Sequence, residues 1–163
     1  MVDVVKAWVD SPLVTTEKRV PRSGFYWPWQ SPVKGQICVY EPFTAYGLLD
    51  NGNTIRCLVP KDFQTDFYSI PRLARPLIPM SQVGWNQAAV VHDLLYWKNI
   101  VQVIDPEVGD WSPDSYVNRH TADQMLYALM REFKAPAIRQ EVIYAAVRLG
   151  GEAPWKENRD ADI

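Results

Sequence analysis

Cysteine and histidine are scarce in this sequence, with two of each among 163 residues. Cys38 and Cys57 lack the close spacing of paired metal ligands, so they do not indicate a thiolate metal site. Two such thiols are typical of a protein that folds in a reducing compartment, although a disulfide between them stays open. Because histidine is so rare, each one needs a reason for its position.

Long runs of charge or of apolar residues are also missing. Lys and Arg number 17 against 19 Asp and Glu, a formal net charge of −2 without a basic run, so nucleic-acid binding is not expected. No apolar run reaches the roughly 20 residues that span a bilayer. Residues 1–10 lack the basic and apolar segments of a signal peptide. We therefore expect synthesis in a cytoplasm and no transmembrane segment.

Proline is abundant, and it concentrates in the first half, which disfavours long helices there. Residues 1–80 are predicted to form short strands and turns. The strongest hairpin signal is Asp50-Asn51-Gly52-Asn53, flanked by Leu48-Leu49 and Ile55. Length and composition fit a single domain that spans residues 1–163.

Residues 84–150 have helical patterns. The first helix is expected from Gln87 to Lys98. The second is expected to begin at Ser112, an N-cap before a proline, and to end near Phe133.

The third helix is expected to begin at Pro136 and to stop at Gly150-Gly151. Its predicted apolar stripe consists of Val142, Ala145, Ala146 and Leu149. Residues 151–163 are expected to be an irregular tail. The predicted class is α+β, a small antiparallel β region in the N-terminal half packed with three C-terminal helices.

The stretch Ala88–Trp97 (AAVVHDLLYW) places an imidazole and a carboxylate inside an apolar run. On a helix, His92, Asp93 and Tyr96 can share one broad face. Two interpretations follow. His92 can be a metal ligand or general base that a nearby carboxylate orients, or the three side chains can form a buried hydrogen-bond network that fixes helix packing.

Two more carboxylates extend the first interpretation. Asp66 lies before the helical half, and Asp123 lies on a helix expected to pack antiparallel to the first. With His92 and Asp93 they would suit a divalent metal, Zn²⁺, Mn²⁺ or Fe²⁺ rather than Ca²⁺. The alternatives are a turn or cap role for Asp66 and a surface pair of Asp123 with Arg119.

Three motifs occur in a recognisable order. TDFYSIPR (Thr65–Arg72) is followed by AAVVHDLLYW and then by Arg-x-x-x-Asp at Arg119 and Asp123. Together they resemble a phage and prophage family of unassigned function, over roughly residues 53 to 150. The resemblance implies a protein encoded among phage structural and lysis genes, and it supplies no activity.

The His-Asp-x-x-Tyr helix is also similar to that of secreted phospholipases A2. That resemblance implies His92 as the base, Asp93 as a Ca²⁺ ligand and Asp123 as the group that orients His92, with Tyr96 beside them. The glycine-rich calcium loop and the flanking cysteines of those enzymes are absent.

Two functions are therefore compared. The preferred hypothesis is a virion component associated with the tail or connector, which docks onto other phage structural proteins, a symmetric assembly being one arrangement. It would be made in the host cytoplasm and then enter the virion. The alternative is a small hydrolase of peptidoglycan or phospholipid that uses a metal-bound or His-activated water. In that case His92, Asp93, Tyr96 and Asp123 would be the catalytic groups.

The segment FYWPW is the candidate partner-binding site of the first hypothesis. Phe25, Trp27 and Trp29 are rigid rings on a backbone stiffened by proline, and such rings bind at little entropic cost. The alternative is that they are buried in the core.

We predict that Trp27→Ala or Trp29→Ala leaves the melting temperature of the isolated protein nearly unchanged and abolishes its incorporation into particles. Thermal unfolding and particle composition would measure the two effects. A stability loss of about 3–5 kcal/mol, typical of truncating a buried aromatic side chain, would instead place these rings in the core.

Overall fold

The structure is a computed structural model, and it describes residues 2–21, 33–65, 83–104 and 106–160. These residues form an α+β fold, as the sequence predicts, with most strands before the helices. The strands are β1 (Val4–Val9), β2 (Thr15–Pro21), β3 (Val33–Val39), β4 (Phe43–Leu49), β5 (Thr54–Val59), β6 (Gln64–Thr65), β7 (Ile100–Ile104) and β8 (Ser115–Tyr116). The helices are α1 (Val83–Lys98), α2 (Arg119–Glu132), α3 (Ala137–Gly150) and α4 (Glu152–Asp160).

The strands form two antiparallel sheets. One has the order β1-β4-β5-β7-β8 and the other the order β2-β3-β6. The predicted hairpin is confirmed, because β4 and β5 pair around an exposed turn. Gly52 has φ 89° in that turn, a conformation that glycine adopts without steric cost.

The β4–β5 hairpin presents alternate side chains to the helices. Ala45 and Cys57 face each other across the two strands and are buried in the core. Burial raises the pKa of the Cys57 thiol to about 12, so this thiol stays protonated at neutral pH. Cys38 and Cys57 are both free, which settles the question of a disulfide between them.

Helix α1 is the central element. Every residue from Trp85 to Tyr96 is buried, which explains why this stretch is apolar on all sides of the helix. The helix begins at Val83 rather than at Gln87. Helices α2 and α4 both pack against it.

The predicted start of the second helix is wrong. Helix α2 begins at Arg119, and its N-cap is Asn118, whose side chain accepts a hydrogen bond from the Thr121 backbone N–H at 2.9 Å. Asn caps helices as well as Ser does. The Ser112 hydroxyl instead accepts a hydrogen bond from the Val103 N–H. The segment that was expected to begin the helix contains β8, which pairs with β7 and extends the sheet.

Two predictions about the C-terminal region are also wrong. The buried residues of α3 are Ile143 and Val147, whereas Val142, Ala145 and Leu149 of the predicted stripe are exposed. Residues 152–160 form α4 instead of an irregular tail. Its physical basis is the packing of Trp155 on α1 and an ion pair between Glu152 and Lys156.

Candidate functional site

The side chains of α1 and α2 meet at Asp123. The Nε2 atom of His92 lies 3.0 Å from Asp123 Oδ1, and the Tyr96 hydroxyl donates a hydrogen bond to the same oxygen at 2.7 Å. His92, Tyr96 and Asp123 are all fully buried. The structure thus brings together three of the predicted site residues, from helix positions four apart on α1 and one position on α2.

The second oxygen of Asp123 faces two arginines. Arg148 of α3 donates to Oδ2 at 2.8 Å, and an Arg119 guanidinium nitrogen lies 3.9 Å from it. Arg119 also donates to the backbone carbonyls of Val147 and Arg148, at the C-terminal end of α3. One carboxylate therefore joins three helices. We call His92, Tyr96, Asp123 and Arg148 the His92 network.

Asp123 is ionised in this network. Burial alone would raise the pKa of its carboxyl, but the hydrogen bond and electrostatic interaction with His92, together with the hydrogen bonds from Tyr96 and Arg148, outweigh burial and lower it. The pKa of Tyr96 is raised, first by burial and then by the charge of Asp123. Tyr96 therefore keeps its proton and donates a hydrogen bond to the Asp123 carboxylate, which can only accept.

Asp93 does not join the His92 network. Its Oδ2 atom accepts a hydrogen bond from the Thr65 hydroxyl of β6, because successive residues on a helix point about 100° apart. Thr65 is the first residue of the TDFYSIPR motif, so two of the motifs noted in the sequence meet here. Asp66 lies outside the described residues, and so do Phe25, Trp27 and Trp29 of the predicted partner-binding segment.

The predicted metal ligands contact different partners and are not grouped around one point. His92 and Asp123 contact each other, whereas Asp93 is held by Thr65. Within residues 2–21, 33–65, 83–104 and 106–160, no three His, Cys, Asp or Glu side chains are grouped to hold a metal ion. The contacts of His92 and Tyr96 with Asp123 have the arrangement that the phospholipase resemblance implies. Asp93, the Ca²⁺ ligand of that resemblance, accepts a hydrogen bond from Thr65.

Three residues of the C-terminal region adjoin Tyr96 or Asp123, and none of them is predicted as a site residue from the sequence. Trp155 of α4 packs edge-on against the Tyr96 ring at 5.1 Å between centroids. A Cβ atom at Gly151 would collide with the Tyr96 hydroxyl. One feature of the sequence could have indicated Arg148. It is an arginine in the last turn of an apolar helix, where it can form an ion pair with a carboxylate of a neighbouring helix.

A groove of about 340 Å³ lies between β1 and the C-terminal part of α2. None of its lining residues belongs to the His92 network. They are Val5, Lys6, Ala7, Ala128, Arg131 and Glu132. The groove and the buried network are therefore separate features of the fold.

Residues 44–147 match a family described as a protein of unknown function, DUF1353. The chain belongs to this family. The matched region runs from β4 into the last turn of α3, and it contains His92, Asp93, Tyr96 and Asp123. No curated protein and no solved structure matches the chain. No helix in the described part of this DUF1353 protein is both long and apolar enough to cross a membrane.

We predict that Asp123→Asn destabilises the protein by about 1–3 kcal/mol at neutral pH, because an amide accepts hydrogen bonds through only one atom, whereas the carboxylate accepts them from Tyr96 and Arg148 through two. Urea unfolding would measure the loss. Asp110→Asn is the control, since it makes the same chemical change at an exposed residue outside the His92 network.

The pH dependence tests the ionised state of Asp123. The folded-state pKa of this carboxyl lies below its ordinary value of 3.8. Its ionisation therefore stabilises the fold fully above that value, and the contribution disappears as the pH falls through the folded-state pKa. The advantage of the wild type over Asp123→Asn should be constant from neutral pH to about one pH unit above 3.8 and should shrink as the pH falls further through the folded-state pKa. An advantage independent of pH would contradict this assignment.

A third prediction concerns the space behind Tyr96. Gly151→Ala should destabilise the protein by about 1–3 kcal/mol, the usual cost of overpacking, because the new methyl group displaces the Tyr96 hydroxyl from Asp123. The penalty should be smaller but not abolished in a Tyr96→Phe background, because that change removes the hydroxyl oxygen and leaves the close contact of the methyl group with the Val147 carbonyl oxygen. Thermal unfolding of the four proteins of this double-mutant cycle measures the coupling. Equal penalties in both backgrounds would show that the Tyr96 hydroxyl is not what requires glycine here.

Proposed function

We propose that this protein is a structural component of a phage virion, associated with the tail or connector, that docks onto other phage proteins. It is made in the host cytoplasm and then incorporated into particles. The phage association comes from the TDFYSIPR, AAVVHDLLYW and Arg119-x-x-x-Asp123 motifs, whose order resembles a phage and prophage family.

The burial of His92 is the observation that carries a non-enzymatic role. A general base or metal ligand must reach a substrate, a water or a metal ion. Here the imidazole is fully buried, and its Nε2 lies within hydrogen-bond distance of Asp123. The opposite side of Asp123 is neutralised by Arg148. This arrangement favours a network that fixes the packing of α1, α2 and α3.

A hydrolase acting on peptidoglycan or phospholipid is the second candidate. The observation in its favour is the His92–Asp123 pair, since a carboxylate that orients an imidazole is a common element of catalytic sites. Under this proposal, a conformational change would expose the imidazole to substrate. The structural role requires only the hydrogen bond between His92 and Asp123, whereas the hydrolase requires the imidazole itself. A matched pair of variants at His92 can separate the two functions.

We predict that His92→Gln retains stability and assembly, whereas His92→Ala loses both. The Gln amide can donate to Asp123 but is neither a base nor a good metal ligand. Ala removes the hydrogen bond and leaves a cavity, at a cost of about 2–5 kcal/mol. The measurements are urea unfolding, the content of this protein in gradient-purified particles of the encoding phage, and infectivity.

Three outcomes distinguish the candidates. Particles that contain His92→Gln and infect normally would support the assembly role. Particles that assemble with His92→Gln but lose infectivity, together with hydrolysis or bound metal in the purified wild type and not in the variant, would favour the hydrolase. Absence of the wild-type protein from particles would contradict the virion proposal.

A further inference from the structure

Helix α3 has apolar residues on two opposite faces. Ile143 and Val147 are buried. About 150° away, at about 100° per residue, lie Ile138, Val142, Ala145 and Leu149. Ile138 is 75%, Val142 45% and Leu149 86% exposed, and Ala145 is exposed as well. We call these four residues the outer stripe.

The outer stripe has the spacing of a coiled-coil seam. Its members follow one another at intervals of four, three and four residues, which is the a/d pattern of a heptad repeat. A helix that exposes one apolar face while burying the other is not typical of an isolated surface helix. Within the described part of the chain, no element covers this face, as the exposure of Leu149 and Ile138 shows.

We propose that the outer stripe binds the outer stripe of a second copy of this chain, with the two α3 helices antiparallel. In this arrangement Val142 faces Ala145 of the second copy and Ile138 faces Leu149. Two central layers then pair a larger with a smaller side chain, and the two outer layers pair two large ones, so every layer is apolar. The contact is symmetric, so both copies use the same residues.

Charges beside the outer stripe favour the antiparallel orientation. Glu141 and Arg148 flank it on one side, and Arg139 and Ala146 on the other. In an antiparallel pair each Glu141 lies near Arg148 of the second copy, which gives two ion pairs, while Arg139 lies near Ala146. A parallel pair would place Glu141 beside Ala146 and would form neither ion pair.

Both members of the expected ion pair are available at the surface. Glu141 is exposed, and the hydrogen bond from the Tyr127 hydroxyl uses only its Oε1 atom. Arg148 donates to Asp123 through Nη1 and has a side chain 32% exposed. A guanidinium has five N–H donors, so it can serve both carboxylates.

The size of the contact sets its strength. Four side chains per copy bury less than the roughly 1,200–2,000 Å² of a typical stable complex. Weak self-association is therefore expected for the free protein, and multiple copies in a symmetric particle would strengthen it. The proposal concerns the isolated chain and does not depend on the virion function.

Sedimentation of the purified full chain over a concentration series tests the proposal. We expect a monomer–dimer equilibrium in the wild type. Leu149→Glu should raise the dissociation constant by at least about tenfold, because it places a charge in the apolar seam. Val108→Glu is the matched control, since Val108 is 72% exposed and lies outside α3. Both variants should melt like the wild type.

Disulfide trapping tests the orientation in a Cys38→Ser background. Ile138→Cys mixed with Leu149→Cys should give a crosslinked dimer, whereas neither variant alone should crosslink. The two positions are about 16 Å apart along a helix at 1.5 Å per residue, so a parallel pair would crosslink each variant with itself. Self-crosslinking, a wild type that stays monomeric at every concentration, or a Leu149→Glu variant that associates normally would overturn the proposal.

Discussion

The ionised carboxylate of Asp123 is the constraint on which the helical half of the fold depends. A buried charge costs several kcal/mol unless opposite charges and hydrogen bonds compensate it. Asp123 obtains these partners from outside its own helix, from His92 and Tyr96 on α1 and Arg148 on α3. The carboxylate can therefore be accommodated only when all three helices are in place, so it makes their packing interdependent.

The parts of the site that the sequence could predict are those with local geometry. The spacing of His92 and Tyr96 places both on one side of α1, and Asp123 on the next helix completes their hydrogen bonds. Asp93 was predicted to join them, but adjacent residues on a helix point in different directions. Its carboxylate accepts a hydrogen bond from Thr65 instead. Arg148 and Trp155 could not be assigned, because their partners depend on how α3 packs on α2 and how α4 packs on α1.

Hydrophobic periodicity predicted the third helix and its end but selected the wrong face. Val142, Ala145 and Leu149 form a regular stripe, whereas the pair that is buried, Ile143 and Val147, is shorter and less conspicuous in the sequence. Periodicity identifies apolar faces without saying what covers them. The hairpin was easier to predict, because the turn at Gly52 specifies its two strands locally and needs no distant partner.

A polar interaction resolves the ambiguity that hydrophobicity leaves on α3. With apolar residues on two opposite faces, burial of either face would remove comparable side chains from water. Rotating α3 by half a turn would carry Arg148 away from Asp123 and leave a buried carboxylate without its closest cation. The Asp123–Arg148 pair, at 2.8 Å, thus selects the rotation that buries Ile143 and Val147. In this protein a buried ion pair contributes specificity of packing, and the outer stripe faces outwards as a consequence.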